Sequence, residues 1–506
     1  MKKIIQHLNS MFKSWKETGI GLKSIYLLVA ILFAIPLFSG LSVLPIRIWD
    51  ESRLAINALE MLQNGNWLVT HFESKPDMWN TKPPLMIWLQ VLCMKLIGPG
   101  ELALRIPSAV AGAFTCIALI SFIRKQTGDL FLGLMSVMVL VCSHGYIQYH
   151  GTRSGDYDAL LTLWTTLSCL HFYNYTIHRS RKQLFYFFLF LTLAVLTKSI
   201  SGLLFIPALI VYSLYQKTIW SMFKNRDVWL GFTFFIIIIG GFYLLREKAN
   251  PGFLKMVYEN ELGGRFFQVV ENHGGGFWYY INNFINQRFR EWHLICLAGI
   301  IIGLLHSDTK VKKISIYFSF LCIGYLLIIS ISKTKLEWYD LPLYPFLAFH
   351  SAVIINFLYK FLENFKWLNR NLRFNPTPYL LVILIFTNPY RKILDKTWAP
   401  REYKWDQPNY ELGHYLQEAV GGRKNLEGVT LLQDGYYAQH LFYIYLLKDK
   451  KVNVDLKTDW QNPNVGNLVL VHQQHIKDYL NERYYLEEID KSAHVSLFRI
   501  IGQRVK

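Results

Sequence analysis

The sequence predicts a polytopic α-helical membrane protein that ends in a small α/β domain. Of its 506 residues, 52% are hydrophobic and only 17% are charged. Soluble domains have a larger fraction of charged residues and a smaller fraction of apolar residues. Apolar runs such as 228–245 and 314–331 have close to the ~20 residues that a membrane-spanning helix needs. From about residue 390 onward, helical segments alternate with strand-like segments, which is typical of a small α/β domain. The helices are predicted at 409–419 and 435–447, and the strands at 428–433, 451–456, 467–472 and 495–501.

The net charge of +18 does not indicate a nucleic-acid-binding protein. The basic residues cluster at the ends of loops, as cytoplasmic anchors of membrane proteins do. No basic motif alternates with base-stacking aromatic residues. The six cysteines all lie in apolar segments and none belongs to a CxxC pair, so neither a disulfide framework nor a zinc ribbon is predicted.

The basic residues also predict which side of the membrane each loop faces. Five lysines in the first 23 residues place the N-terminus in the cytoplasm, and the first span, 24–45, brings Asp50 to the outer side. The apolar segment 84–98 fits the charge pattern only as a helix on the outer surface. Further spans are predicted at 106–123, 130–148, 157–175, 184–197, 201–215, 228–245, 292–305, 314–331, 341–361 and 379–386. These eleven spans predict a transmembrane domain, 1–389, and an extracytoplasmic domain, 390–506.

The stretch 47–84 follows the first span but contains several charged residues. Each charge would cost at least ~3 kcal/mol in hydrocarbon, so we expect a polar loop that begins at the membrane surface. Asp50 and Glu51 are adjacent carboxylates at the mouth of the span. A carboxylate is the expected base when a hydroxyl nucleophile must lose its proton. The alternative is that both acids are simply solvated at the membrane interface and have no catalytic role.

Further polar residues lie on the predicted outer side, and two groups of them have a clear structural alternative. Arg153, Asp156 and Asp158 precede or open a span, where an aspartate also caps a helix. Lys82 and Lys198 suit a lipid phosphate, but lysines at a membrane surface also snorkel. The remaining candidates are His273 beside three glycines, Tyr339 beside two prolines, Arg105 and Arg53. Because all of these residues lie on the outer side of the membrane in the predicted topology, we expect them to form one outward-facing catalytic cavity.

Residues 20–360 resemble the GT-C glycosyltransferases that use polyprenyl-phosphate sugars, such as protein O-mannosyltransferases and bacterial lipid A aminoarabinose transferases. The resemblance rests on DESR (50–53), TKPP (81–84), ELALRIPSAVAG (101–112), RSGDYDALLTLW (153–164), LTKSISG (196–202), HGGGFWYY (273–280) and KLEWYDLPLYP (335–345). It implies about 11–13 spans, with juxtamembrane helices in the first outer loop.

The resemblance assigns roles to the candidate residues. It implies that Asp50 is the catalytic carboxylate, with Asp158, Glu51 and Asp156 as further candidates, and that Lys82 contacts the lipid phosphate. The remaining substrate-binding candidates are Arg53, Arg105, Arg153, Lys198, His273 and Tyr339. Aminoarabinose transferases have a glutamate before the lysine of this motif, and with a later histidine it can bind a divalent metal. Thr81 stands there in this chain, so we predict no metal site, and metal dependence stays open.

These observations predict an inverting glycosyltransferase of the inner membrane. It would move a sugar from a polyprenyl-phosphate carrier to a lipid, glycan or protein acceptor on the outer face, as in lipopolysaccharide or glycan modification. Two alternatives stay open: a transporter of lipid-linked glycans and a non-catalytic cell-envelope scaffold. Transporters usually place ionisable residues near the midplane, within inverted repeats, whereas the acids of this chain lie at span ends. The expected partners are the donor, the acceptor and membrane lipids, with no nucleic acid.

Overall fold

The computed structural model of the protein describes residues 19–269, 271–364 and 375–504. These residues form a large helical domain followed by a small sheet domain, which confirms the predicted fold class. The N-terminal lysines at positions 2–16 and the basic stretch 366–373, on which part of the predicted topology rests, lie outside the described residues.

The helical domain also contains a short β-hairpin, β1 with β2. Its elements, in chain order, are α1 Gly19–Phe38, α2 Asp50–Asn64, β1 His71–Phe72, β2 Lys75–Pro76, α3 Leu85–Ile97, α4 Glu101–Thr127, α5 Leu130–Val141, α6 His144–Ile147, α7 Asp158–His178, α8 Arg181–Lys198, α9 Ile206–Tyr215, α10 Ile219–Phe223, α11 Arg226–Ala249, α12 Phe253–Val257, α13 Arg265–Phe267, α14 Tyr279–Asn283, α15 His293–Leu305, α16 Thr309–Ile331, α17 Tyr344–Glu363 and α18 Thr377–Thr397. A π-helical turn, Tyr258–Gly264, joins α12 to α13.

Within the described ranges, five helical segments are long and apolar enough to cross a membrane. They are Glu101–Thr127, Arg181–Leu203, Arg226–Ala249, Thr309–Ile331 and Glu337–Glu363. Shorter apolar helices of 10–17 residues accompany them, among them α3, α5, α9 and α15. The apolar part of α11 is not buried against the rest of the protein, as expected of a helix that faces lipid tails.

The first outer segment differs from the predicted polar loop, because residues 50–64 form α2. Leu54, Ala58 and Leu59 recur at helical spacing and are fully buried, so the segment has one apolar face despite its charges. The segment 84–98 is the short helix α3, which packs against α2 and α4.

Several predicted spans differ from the structure in length, and two of them have a local reason. The span predicted at 130–148 is interrupted after Val141, where the Ser143 hydroxyl donates to the carbonyl oxygen of Val139 at 2.6 Å and so satisfies a backbone group at the helix end. The span predicted at 379–386 is longer than expected, because α18 continues from Thr377 to Thr397.

The C-terminal domain contains a five-stranded mixed sheet with the order β4-β3-β5-β7-β6. Its elements are α19 Gln407–Val420, β3 Val429–Leu432, α20 Ala438–Asp449, β4 Val454–Lys457, β5 Leu468–Val471, α21 Gln474–Arg483, β6 Tyr484–Ser492 and β7 Val495–Gln503. The sequence predicts β3, β4, β5, β7 and both longer helices. It misses β6, which lies at the edge of the sheet and buries few of its side chains, so it shows little apolar alternation.

The sheet domain packs directly on the helix that carries Asp50. Helix α20 lies against α2, and Leu54 and Phe442 belong to one apolar core. The Tyr443 hydroxyl donates to Glu101 at 2.5 Å and accepts from the backbone N–H of Ile46 at 2.9 Å. The C-terminal domain therefore helps to fix the position of the first outer segment.

Candidate active site

A cavity of about 300 Å³ lies where the first outer segment meets α7, α8 and the end of α16. One part of its wall is charged, with Asp50, Lys82, Asp156, Asp158, Lys198 and Glu261. Another part is apolar, with Leu161, Ile200, Leu204, Phe266, Phe267, Ile328, Ile329 and Leu336. Tyr339 also contributes to the wall. We call this space the charged cavity, and it has the two chemistries that an amphiphilic ligand needs.

Asp50 is the first residue of α2, where the unpaired backbone N–H groups of the helix favour a carboxylate. The preceding residue, Trp49, has a φ of 72°, which turns the chain sharply into the helix. The Asp50 side chain is 31% exposed, so its carboxylate is accessible from the cavity. Asp50 also lines a second cavity of about 580 Å³, and no other residue that lines both cavities is ionisable.

Asp156 and His150 form a buried pair beside Asp50. The Nδ1 atom of His150 contacts the Asp156 carboxylate directly and lies 4.0 Å from Oδ2 of Asp50. Burial alone would raise the pKa of Asp156, but the charge and hydrogen bond of His150 and the charge of Lys198 hold it below its ordinary value.

His150 was not predicted from the sequence. Its ring stacks on Trp338, with the ring centroids 3.4 Å apart. Its φ of 58° is uncommon for a residue other than glycine. The one local signal was its position, directly before Gly151 and the acidic motif that opens α7.

Asp158 and Lys198 form a second buried pair in the wall of the charged cavity. The ammonium group of Lys198 lies 2.6 Å from both carboxylate oxygens of Asp158. It also lies 5.3 Å from the centre of the Tyr339 ring. The structure thus brings together three residues that the sequence singled out in separate segments.

Lys82 extends into the same cavity from the other side. Its Nζ atom lies 3.4 Å from Oε1 of Glu261 and 5.6 Å from the centre of the Tyr157 ring. The Thr81 hydroxyl donates to the same Glu261 oxygen at 3.0 Å. No sequence pattern indicated Glu261, which comes from the π-helical turn about 180 residues away.

The residues at the metal-binding positions of aminoarabinose transferases do not fit a metal here. Thr81 offers only a neutral hydroxyl, which is a weak ligand compared with a carboxylate, and His273 lines the second cavity rather than the charged cavity. A different set of donors lies closer together, since one ligand atom each from Asp50, His150 and Asp156 lie within 4.8 Å of one another. In this set, His150 Nδ1 is already bonded to Asp156.

Glu51 and Arg105 lie behind the charged cavity rather than in its wall. Arg105 Nε and Nη2 each lie 2.8 Å from one Glu51 oxygen, and Arg105 also donates to three backbone carbonyls between residues 41 and 45. Burial raises the pKa of Glu51, but the neighbouring charge and hydrogen bonds of Arg105 lower it by more. The net pKa therefore lies below its ordinary value. This geometry fits a pair that fixes the start of α2.

Arg153 and Arg53 are also engaged with the protein. Arg153 donates to the carbonyls of Pro36, Ser39 and Thr397, which ties α1 to α18 away from the charged cavity. Arg53 binds Asp77 through two nitrogens at 2.8 and 2.6 Å and lines the second cavity. The predicted single cavity is therefore two adjoining cavities, with Asp50 between them.

Comparisons with known proteins agree with the resemblance seen in the sequence. The family model for dolichyl-phosphate-mannose-protein mannosyltransferases matches residues 81–242. An Aquifex aeolicus (strain VF5) protein is 27% identical over 336 residues, which cover 65% of this chain and 64% of that protein. The undecaprenyl phosphate-alpha-4-amino-4-deoxy-L-arabinose arabinosyl transferase of Aeromonas hydrophila is 26% identical over 311 residues, which cover 59% and 54%. The chain therefore matches between about half and two thirds of the length of these relatives.

A solved structure has the same fold as this protein. ArnT from Cupriavidus metallidurans, crystallised with undecaprenyl phosphate, superposes with a TM-score of 0.70 at 13% identity, covering 95% of this chain and 98% of that one. The fold is thus that of ArnT, and the class of protein that the chain resembles is the GT-C-type membrane proteins. Within that class, the chain resembles the aminoarabinose transferases.

Proposed function

We propose that the protein is an inverting glycosyltransferase that takes a sugar from a polyprenyl-phosphate carrier. The observation that carries this proposal is the charged cavity, in which two lysines and four carboxylates lie next to an apolar wall. Lysines bind a phosphate, and the apolar wall suits the first isoprene units. The likeness to a structure with undecaprenyl phosphate supports the same donor class.

In this mechanism Asp50 acts on the acceptor. An acceptor hydroxyl attacks the anomeric carbon of the donor and forms the new C–O bond, while the bond to the phosphate oxygen breaks on the opposite face. The hydroxyl proton passes to the Asp50 carboxylate, and polyprenyl phosphate leaves as an anion next to Lys82. One attack from the opposite face inverts the anomeric centre.

The proposal includes the site of the reaction in the cell. We place it at the outer face of the inner membrane, with the N-terminus in the cytoplasm and the C-terminal domain outside, because the charge pattern of the loops favours that orientation. The acids and lysines lie together at one end of the helices, which supports an enzyme rather than a transporter with a site at the midplane.

Transfer by the purified protein tests this function. The protein in detergent would be incubated with undecaprenyl-phosphate sugars labelled in the sugar and with a lipid extract from bacterial membranes. We expect label in a new product, release of undecaprenyl phosphate and inversion at the anomeric carbon. A donor that binds but passes intact across proteoliposomes, without release of its sugar, would favour the transporter instead.

We also predict that transfer does not require a divalent metal. Thr81 is a weak ligand, and in the one candidate donor set among the described residues, His150 Nδ1 is bonded to Asp156. Activity in EDTA should equal activity after Mg²⁺ or Mn²⁺ is added back. Loss in EDTA that either cation reverses would contradict this prediction and would point to Asp50, His150 and Asp156 as ligands.

A further inference from the structure

The second cavity is lined by aromatic residues to an unusual extent. Of its eleven lining residues, five are tryptophan or tyrosine: Trp49, Trp79, Tyr149, Trp338 and Tyr436. Its volume of about 580 Å³ is in the range of small-molecule sites. We call it the aromatic cavity.

Two of its tryptophans are partly exposed. Trp49 is 53% exposed and Trp79 is 40% exposed, so each ring has surface available for contact with a ligand. Trp49 is held by Tyr436 of the C-terminal domain, with the rings stacked at 4.6 Å between centroids. The Tyr436 hydroxyl also bonds to the Trp49 carbonyl at 3.3 Å. The C-terminal domain therefore supplies part of the wall and orients an exposed ring.

The charges of the aromatic cavity do not suit a phosphate. Arg53 is the one lysine or arginine among its lining residues, and Asp77 already holds its guanidinium through two bonds. Two carboxylates, Asp50 and Glu271, also face the space, and they would repel an anion. The two lysines that line these cavities, Lys82 and Lys198, both belong to the wall of the charged cavity.

The combination suits a neutral sugar. The negative face of an aromatic ring attracts weakly positive hydrogens, such as the C–H groups on one face of a pyranose. The carboxylates that line the cavity accept hydrogen bonds from hydroxyls, and the imidazoles either accept or donate them. An uncharged pyranose ring, which has a C–H face and several hydroxyls, uses both kinds of group.

We propose that the aromatic cavity binds the acceptor, and that this acceptor is a neutral sugar ring presented by a glycan. The inference rests on the proposed function, because it uses Asp50 as the group that joins the two cavities. The acceptor sugar stacks on Trp49 or Trp79 with one hydroxyl directed at Asp50, and the donor occupies the charged cavity. The hydroxyl oxygen bonds to the donor anomeric carbon, its proton goes to Asp50, and the phosphate leaves toward Lys82.

Binding measurements test the acceptor class without knowledge of the donor sugar. The full-length protein in nanodiscs would be mixed with neutral gluco-, manno- and N-acetylglucosamine oligosaccharides, and saturation-transfer NMR would detect contact with their ring protons. One further arm uses the same sugars on a lipid anchor, and another uses a bisphosphorylated glucosamine disaccharide. Binding of the free sugars identifies a soluble glycan acceptor, and binding only of the anchored form identifies a glycolipid. Both results support a neutral sugar site.

Variants locate the site. Trp49→Ala and Trp79→Ala should weaken oligosaccharide binding by roughly threefold to tenfold. Trp49→Phe keeps an aromatic face and should bind nearly as well as the wild type. Trp278→Ala is the matched control, because Trp278 is 64% exposed but is not among the residues that line the aromatic cavity.

The outcomes separate this inference from the proposed function. No saturation transfer to any neutral sugar, or preferential binding of the phosphorylated disaccharide that Trp49→Ala leaves unchanged, would overturn the neutral-sugar site. Undecaprenyl phosphate binding is measured in parallel. Lys82→Ala should weaken that binding and leave oligosaccharide binding intact. If undecaprenyl phosphate does not bind the wild type, the proposed donor is wrong, whereas the result for the aromatic cavity is read independently.

Discussion

Asp50 and Glu51 are neighbours in the chain but have opposite surroundings. Asp50 is partly exposed between two cavities, whereas Glu51 is buried in a two-bond pair with Arg105. On a helix, successive side chains point about 100° apart, so only one of two adjacent acids can face the cavity. The sequence could name both residues as candidates, but the helix geometry separates their roles.

Asp50→Asn should abolish most of the transfer. The amide keeps the size of the side chain but cannot accept the hydroxyl proton, and loss of general-base help costs about 10²–10⁴-fold in turnover. We expect normal membrane insertion and near-normal binding of undecaprenyl phosphate, measured beside the rate of sugar transfer. Near-wild-type transfer would reject this role and would direct the search to Asp156 or Asp158.

Glu51→Gln is the matched comparison for Asp50→Asn, and it should act mainly on stability. Removing one charge from a buried ion pair costs about 3–5 kcal/mol, because the partner, here Arg105, is left uncompensated. A lower unfolding temperature with near-normal turnover per folded molecule is expected. A folded variant that loses turnover as severely as Asp50→Asn would show that Glu51 participates in the chemistry.

Lys82→Ala should weaken donor binding far more than Lys75→Ala. Lys82 lines the charged cavity, whereas Lys75 lies on the exposed β-hairpin. A charge-assisted contact with a phosphate is worth about 1.5–3 kcal/mol, so the Kd for undecaprenyl phosphate should rise by roughly tenfold to 150-fold. Equal effects of the two substitutions on that Kd would count against a specific phosphate contact for Lys82.

At the scale of elements, the charged cavity depends on how helix ends meet. Asp158 begins α7 and Lys198 ends α8, and the tight turn between the helices is at the opposite end of the pair. The ion pair therefore joins two helix ends that are 40 residues apart in the chain. Each charge is acceptable there because the other compensates it.

Asp158→Asn and Lys198→Met should each destabilise the protein by about 3–5 kcal/mol, since each leaves one buried charge unpaired. The double variant should be more stable than either single variant, because it leaves no unpaired charge. Thermal unfolding of the four proteins in detergent, with undecaprenyl phosphate binding as a second readout, checks this. Additive losses of stability in the double variant would show that the two residues do not act as a pair.

At the scale of the whole molecule, the C-terminal domain and the first outer segment should lie on the same, outer side of the membrane. Their direct packing through Tyr443 and α20 requires a common side. Cysteines at Lys75 and Thr458, both exposed, should react with an impermeant thiol reagent in intact spheroplasts of a bacterial host. The native cysteines are buried except Cys93, so a Cys93→Ala background keeps the signal specific.

A cysteine at Lys224 is the control for the cytoplasmic side. Lys224 is exposed and follows the predicted inward end of the hairpin formed by α8 and α9. It should react only after the spheroplasts are lysed. Labelling of Thr458→Cys only after lysis, or of Lys224→Cys before it, would invert the proposed orientation and remove the active site from the outer face.

The sequence by itself determined the long apolar helices and the alternating order of the C-terminal domain, and it singled out Asp50, Lys82, Asp158 and Lys198 as candidates. Apolar length sets a membrane span, and local periodicity sets a helix or a strand, so both can be read from neighbouring residues. The same locality explains the error in the first outer segment, where the charges concealed the apolar face of α2.

Only the tertiary structure decided which polar residues meet. His150, Glu261, Trp338 and Tyr436 reach Asp50 or Lys82 from segments about 100 to 390 residues away along the chain, and no local pattern encodes such contacts. It also decided that Glu51, Arg105 and Arg153 are bonded within the protein, because burial and hydrogen-bond partners depend on packing. The division into a charged and an aromatic cavity follows from that packing, which places one carboxylate between two walls of different chemistry.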